Sequence, residues 1–145
     1  MNFKKTYKPA KGYTEICKIG ECSLKRLSFG IIELDAGEKL PFKTGDKETA
    51  FIMLSGHCNV RFGDTEWKNI GNRMNVFENR RAECVYLPRD FECEVEAIDH
   101  IKIAVCATPV DKKTLPAGTI PSNGSELTKT LRFESTDSVS LSIYA

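Results

Sequence analysis

Short runs of apolar or alternating apolar and polar residues recur about every ten positions, bounded by Gly, Asp, Asn or Pro. Such runs predict β-strands, because successive strand side chains point to opposite faces of a sheet. Leu27–Leu34 is one strand, ended by Asp35-Ala36-Gly37. Ala50–Leu54 is apolar at every position, the pattern of a strand buried on both faces. Ser55-Gly56 turns into His57–Phe62, which alternates. Gly63-Asp64 is a two-residue hairpin turn, since glycine at its first position accepts a positive φ, and Thr65–Trp67 returns. After Gly71-Asn72 come Glu83–Leu87, stopped by Pro88, then Phe91–Ala97 and Ile101–Ala107 around an Asp99-His100 turn. Few stretches carry a helical period. Seven or more short strands at roughly 8–12-residue spacing indicate an all-β sandwich or barrel without β-α-β units.

Composition shifts at Thr108, and the stretch to Asn123 carries Pro109, Pro116, Gly118 and Pro121. Val139–Tyr144 alternates again, predicting a last strand with one wet face. The expected organisation is a β-domain over 1–110, then a Pro/Ser/Thr-rich linker with terminal strand(s) over 111–145. The length of 145 residues suits one domain. With 21 Lys+Arg against 20 Asp+Glu, the chain has no field to collect nucleic acid or an anionic membrane surface, so neither is an expected partner.

The basic N-terminus is followed by no apolar core of a secretory signal. The apolar runs Ala50–Leu54 and Ile103–Ala107 are far short of the ~20 residues that cross a bilayer. The expected compartment is therefore the cytoplasm, where thiols stay free. The six cysteines (17, 22, 58, 84, 93 and 106) form no C-x-x-C pair, and the last four read as small buried residues of strands. Phosphate-binding glycine loops and G-x-S-x-G elbows are absent from the sequence. Arg80-Arg81 has no basic flank and reads as a solvated loop.

An ordered set of landmarks then resembles one family. They are Leu27-Ser28-Phe29-Gly30, Gly37-Glu38, Thr44-Gly45-Asp46-Lys47-Glu48, Leu54-Ser55-Gly56-His57-Cys58 and Ile70-Gly71-Asn72-Arg73. They continue through Val76-Phe77-Glu78, Val85-Tyr86-Leu87-Pro88-Arg89 and Ala104-Val105-Cys106-Ala107-Thr108-Pro109. In order and spacing this resembles the N-terminal half of the 5-deoxy-glucuronate isomerases of myo-inositol catabolism, which consist of two tandem cupin domains. The resemblance implies a single cupin-like double-stranded β-helix of the jelly-roll type. It also implies a connection with aldose–ketose isomerisation of a deoxy sugar acid, with the divalent metal expected only in the second cupin, outside this chain.

A catalytic cupin holds its metal with a His-x-His pair, a Glu, and a later His after a Pro-x-Gly turn. Laid on this sequence, the pair falls at Lys43-x-Gly45, the Glu at Thr49 (or Glu48 with a loop one residue shorter), and the last His at Cys93. An ammonium repels a cation, so no metal and no cofactor is expected in this domain. His57 and His100 stand at none of these positions and have no motif that assigns them a role.

Lys43, Glu48, Arg73, Tyr86 and Cys93 are the polar groups expected near a cupin barrel mouth as substrate-binding residues, with the catalytic residues left unassigned. Lys43 and Arg73 suit a sugar-acid carboxylate, and Glu48 a proton relay between adjacent carbons. Two functions follow. One is the N-terminal cupin of an isomerase, inactive alone; the other is a stand-alone metal-free module that binds a sugar acid or serves as a scaffold. A homodimer is expected on either, since a β-sandwich leaves edge strands open.

Overall fold

The computed structural model describes residues 5–113 and 115–120, together with two short strands at 131–133 and 139–141. The described chain is strand and turn throughout: β1 (Gly12–Cys17), β2 (Ser28–Leu34), β3 (Lys39–Lys43), β4 (Lys47–Ser55), β5 (Cys58–Phe62) and β6 (Thr65–Ile70). Then follow β7 (Cys84–Leu87), β8 (Glu92–Ala97), β9 (Ile101–Pro109), β10 (Gly118–Ile120), β11 (Leu131–Phe133) and β12 (Val139–Leu141). One six-stranded sheet has the order β1-β2-β9-β4-β7-β10, and a four-stranded sheet has the order β3-β8-β5-β6. All pairings are antiparallel, as a sandwich requires. The strand expected over Val139–Tyr144 is β12 as far as Leu141; its remainder lies outside the described residues.

β1 and β3 escape the apolar pattern, and both are edges. β1 is polar at alternate positions and exposed on one face. β3 contains Pro41, which gives no ladder hydrogen bond and is tolerated on an edge strand. β4 starts three residues before the expected Ala50, taking in Glu48 and Thr49, each only 1% exposed. Within the segment read as a linker, β10 pairs with β7.

The facing sides of the two sheets make the core. Ile32, Phe51, Met53, Val60, Leu87, Val95, Ile101 and Ile103 are all buried there. Edge-to-face rings extend it: Tyr13 on Phe42 at 5.5 Å, Phe42 on Phe51 at 5.0 Å, and Phe62 on Trp67 at 4.7 Å between centroids. Burying a side chain such as Phe51 contributes about 2–3 kcal/mol, and each ring pair about 1 kcal/mol more.

Register then decides which face each polar residue occupies. Phe51 and Met53 point into the core, so Thr49, two positions earlier, points the same way. Glu48 and Ala50 therefore point outward, in register with Thr108 and with Cys106 and Tyr86.

Candidate functional site

The five residues expected to share one mouth are distributed over four places. Lys43 ends β3 on the outer face of its sheet and pairs with Glu92 at 2.9 Å, yet it also rims a cavity at the open end of the sandwich. Glu48 and Tyr86 do meet, through a buried hydrogen bond from the Tyr86 hydroxyl to Glu48 Oε2. That pair lies on the outer face of the six-stranded sheet, because the register turns both away from Phe51 and Val85. Arg73 stands at the far end of β4. Its guanidinium donates to the carbonyls of Leu54 at 3.2 Å, Met53 at 3.3 Å and Arg80 at 3.1 Å, tying down the loop between β6 and β7. Cys93 is buried in the core opposite Phe42, and burial pushes its thiol up to about 12. The expected grouping fails because β4 is buried on both faces, which hides its inward side from a period-two reading.

The cavity itself measures about 230 Å³. Ser28, Ala107 and Thr49 are neighbours across β2, β9 and β4 and form its floor. Phe42 and Tyr13 form a wall, while Lys43, Lys47 and Glu15 carry the charges. Burial pushes the Tyr13 phenol up to about 12. Thr44 is already engaged, donating to the Pro88 carbonyl at 2.8 Å and accepting from the Phe91 amide at 3.0 Å. Sequence reasoning missed Tyr13, Ser28 and Lys47; the signal available was Lys47 and Thr49 sharing one face of an inward strand.

A divalent metal fits poorly on these residues. Where the resemblance to catalytic cupins places imidazole and carboxylate, this chain holds Lys43, Gly45, Thr49 (or Glu48, turned to the outer face) and the core thiol of Cys93. Among the described residues, no three His, Cys, Asp or Glu side chains cluster as a metal site would. Both histidines are held by carboxylates instead. Asp99 accepts from the His57 amide at 2.6 Å and lies 2.7 Å from its Nδ1. Burial pushes Asp99 up, but the hydrogen bonds from His57 outweigh it and hold the carboxyl below its usual range. His100 lies 3.2 Å from Glu33 and 2.9 Å from Asp35.

The cysteines divide differently from expectation. Cys17 and Cys22 form a disulfide, whereas free thiols were expected throughout. A register shift between Glu15 and Cys17 and the turn over 18–21 bring their Cα atoms to 6.0 Å, at a spacing a C-x-x-C search passes over. Cys58, Cys84, Cys93 and Cys106 are free.

Residues 4–130 match the profile of the KduI/IolB family. The 5-deoxy-glucuronate isomerase of Geobacillus thermodenitrificans is 37% identical over 95 residues, which are 66% of this chain and 34% of that protein. The chain thus spans about a third of the length of the curated relatives it matches. The crystal structure of an IolB-like protein from Salmonella typhimurium LT2 superposes with a TM-score of 0.69 at 28% identity, over 77% of this chain and 42% of that one. The Schizosaccharomyces pombe Cnp3 cupin domain, at TM-score 0.50 and 13% identity, covers 68% of this chain and 64% of its own, and attests the cupin fold alone.

Proposed function

The chain belongs to the KduI/IolB family, and from that premise we propose that it is the metal-poor cupin of a 5-deoxy-glucuronate isomerase-like protein, inactive alone. The reaction is the aldose–ketose isomerisation of 5-deoxy-glucuronate to 5-dehydro-2-deoxy-gluconate, in which the carbonyl moves to the adjacent carbon. What supports this division of labour is the set Lys43, Gly45, Thr49 (or Glu48) and Cys93 at the positions where the resemblance to catalytic cupins places the metal ligands. Glu48, the expected proton relay, is spent on Tyr86 at the outer face of its sheet. Chemistry then falls to a second cupin, and this domain supplies packing and one wall of the assembly. Purified chain supplied with divalent metal should leave 5-deoxy-glucuronate unchanged in an NMR assay; steady turnover would overturn the reading.

A second reading, a stand-alone metal-free module that binds a sugar acid or acts as a scaffold, is favoured by the cavity rimmed by Lys43 and Lys47. The coding sequence beyond codon 145 separates the two: a continuing frame with a His-rich cupin supports the first, a stop codon the second.

On either reading the domain acts as a homodimer; the Cys17–Cys22 disulfide runs against the free thiols on which the cytoplasmic expectation rested. Among the described residues no helix is long and apolar enough to cross a membrane. The dimer is supported by the open edges β3 and β6 and by the loop held by Arg73, which presents Met74, Val76 and a 93% exposed Phe77. Sedimentation velocity should give a dimer that Phe77→Ser weakens; a monomer at high micromolar concentration would end this proposal.

A further inference from the structure

We propose that β6 is the edge through which this domain meets a second copy of itself, pairing antiparallel with the partner's β6 on a two-fold axis through Trp67. This rests on the homodimer reading above and names its interface. Among the described residues no strand lies beyond β6 in its sheet. A groove of about 390 Å³ runs along that open side, between Trp67, Lys68 and Ile70 of β6 and Cys84 and Thr119 of the other sheet. The loop that carries Phe77 leaves and re-enters the sandwich at this groove, at Ile70 and Glu83.

The backbone has the phase that such a partner needs. Gly63-Asp64 is a two-residue hairpin loop, so the flanking Phe62 and Thr65 exchange hydrogen bonds, and so do Val60 and Trp67 two positions on. The Asn69 amide also turns toward β5, donating to Asn59 Oδ1 at 2.9 Å. The amides and carbonyls of Glu66 and Lys68 therefore face outward. Antiparallel pairing centred on Trp67 lets Glu66 exchange both backbone bonds with the partner's Lys68, and Lys68 with the partner's Glu66. Trp67 then meets the partner's Trp67 at a non-hydrogen-bonded site, where side chains approach most closely. The Trp67 ring packs on Phe62 at 4.7 Å and is half-buried, with one side in the groove, so a second indole completes its cover. Asn69, at φ 55°, ends the regular stretch and keeps the contact centred on these residues.

Side chains favour this edge over the others. Glu66 and Lys68 flank Trp67 on the opposite face of the strand, and the two-fold sets each against its counter-charge on the partner. Lys68 is 74% exposed and approaches its own Glu66 only to 3.7 Å, so it can reach across. β3, the other edge of the same sheet, gives the reverse result. Pro41 at its centre has no amide, and a two-fold there would set Lys39 against the partner's Lys43. In the six-stranded sheet, β1 carries a register shift between Glu15 and Cys17 and β10 is three residues long; bulges and short strands both blunt an edge.

Trp67 is the single tryptophan of the chain, which makes the pairing visible. The test follows the whole chain through a dilution series by sedimentation velocity and far-UV circular dichroism together. A dimer is expected whose exciton couplet, the signature of two stacked indoles, fades in step with dissociation. Lys68→Pro removes only an outward amide, which an edge strand tolerates, and should weaken association about tenfold or more and abolish the couplet. Glu66→Lys and Lys68→Glu each set like charges opposite one another and should weaken association to a similar degree. An equal mixture of those two variants should restore a dimer, since every charge pair across the axis is then opposite in sign. Unaltered amide NMR spectra away from β6 establish that the variants fold. A dimer without the couplet and indifferent to Lys68→Pro would overturn this interface and leave the homodimer reading standing. A mixture no tighter than its components would overturn the register, and a wild-type monomer at high micromolar concentration would overturn both readings.

Discussion

The two sheets treat their outward faces in opposite ways. On the four-stranded sheet, Arg61 reaches Glu66 at 2.9 Å, Glu94 at 3.4 Å and Glu96 at 3.0 Å, and Lys39 and Lys43 extend the pairing to Glu96 and Glu92. These side chains are partly solvated, and cross-strand pairs of this kind contribute a few tenths of a kcal/mol to about 1 kcal/mol each. On the six-stranded sheet the outward positions Ala50, Cys84, Tyr86, Ala104 and Thr108 are buried, with the carboxyl of Glu48 among them. One sheet therefore meets water with one face. The other carries a second buried layer, where the Tyr86 hydroxyl donates to the Glu48 carboxyl.

Substitutions on the two faces should differ accordingly. Ala50→Asp places an unpaired carboxyl in the second layer and should destabilise the domain by about 3–5 kcal/mol in urea unfolding. Tyr86→Phe keeps the ring but removes a donor to Glu48, and a loss of about 1–3 kcal/mol is expected from the same measurement. Arg61→Ala, on the solvated face, should cost about 1 kcal/mol or less, shrinking further at high salt. If Arg61→Ala cost as much as Ala50→Asp, the contrast between the faces would be lost.

The contrast also decides what could be read from the sequence. In β8, Glu92, Glu94 and Glu96 alternate with Cys93, Val95 and Ala97, so both its strand character and its wet face are legible. β4 and β9 are buried on both sides, and period-two reading loses its phase there: the strands are evident, but not which way Glu48 or Thr49 points. The candidate site depended on that phase. Lys43 lies at the rim of the cavity, whereas the register turns Glu48 and Tyr86 to the outer face of their sheet. Tyr13 and Glu15 stayed invisible because β1, an edge strand, shows no apolar run.

Acid and alkali should act on different parts of the molecule. Asp99 is held below its usual range by His57, so its contribution is complete above its unfolded value of about 3.9 and is lost as pH falls. Asp99→Asn should flatten the acid limb of a stability–pH curve. Burial pushes Cys58 up to about 12 and Cys84 to about 11, so stability should fall as pH rises past the unfolded thiol value of about 8.5. Alkylation of denatured, unreduced protein checks the N-terminal disulfide: the four cysteines 58, 84, 93 and 106 should react, and Cys17 and Cys22 only after reductant.

Where a catalytic cupin would hold its ion, this one has Lys43, Gly45, Thr49 (or Glu48) and Cys93, a set unsuited to a divalent metal. Equilibrium dialysis of the folded chain against micromolar zinc or manganese, with the bound ion measured by mass spectrometry, tests it most directly. Only a trace of bound metal is expected, with the same trace in Thr49→Val. One tightly held equivalent per chain, lost in Thr49→Val or Cys93→Ser, would contradict it.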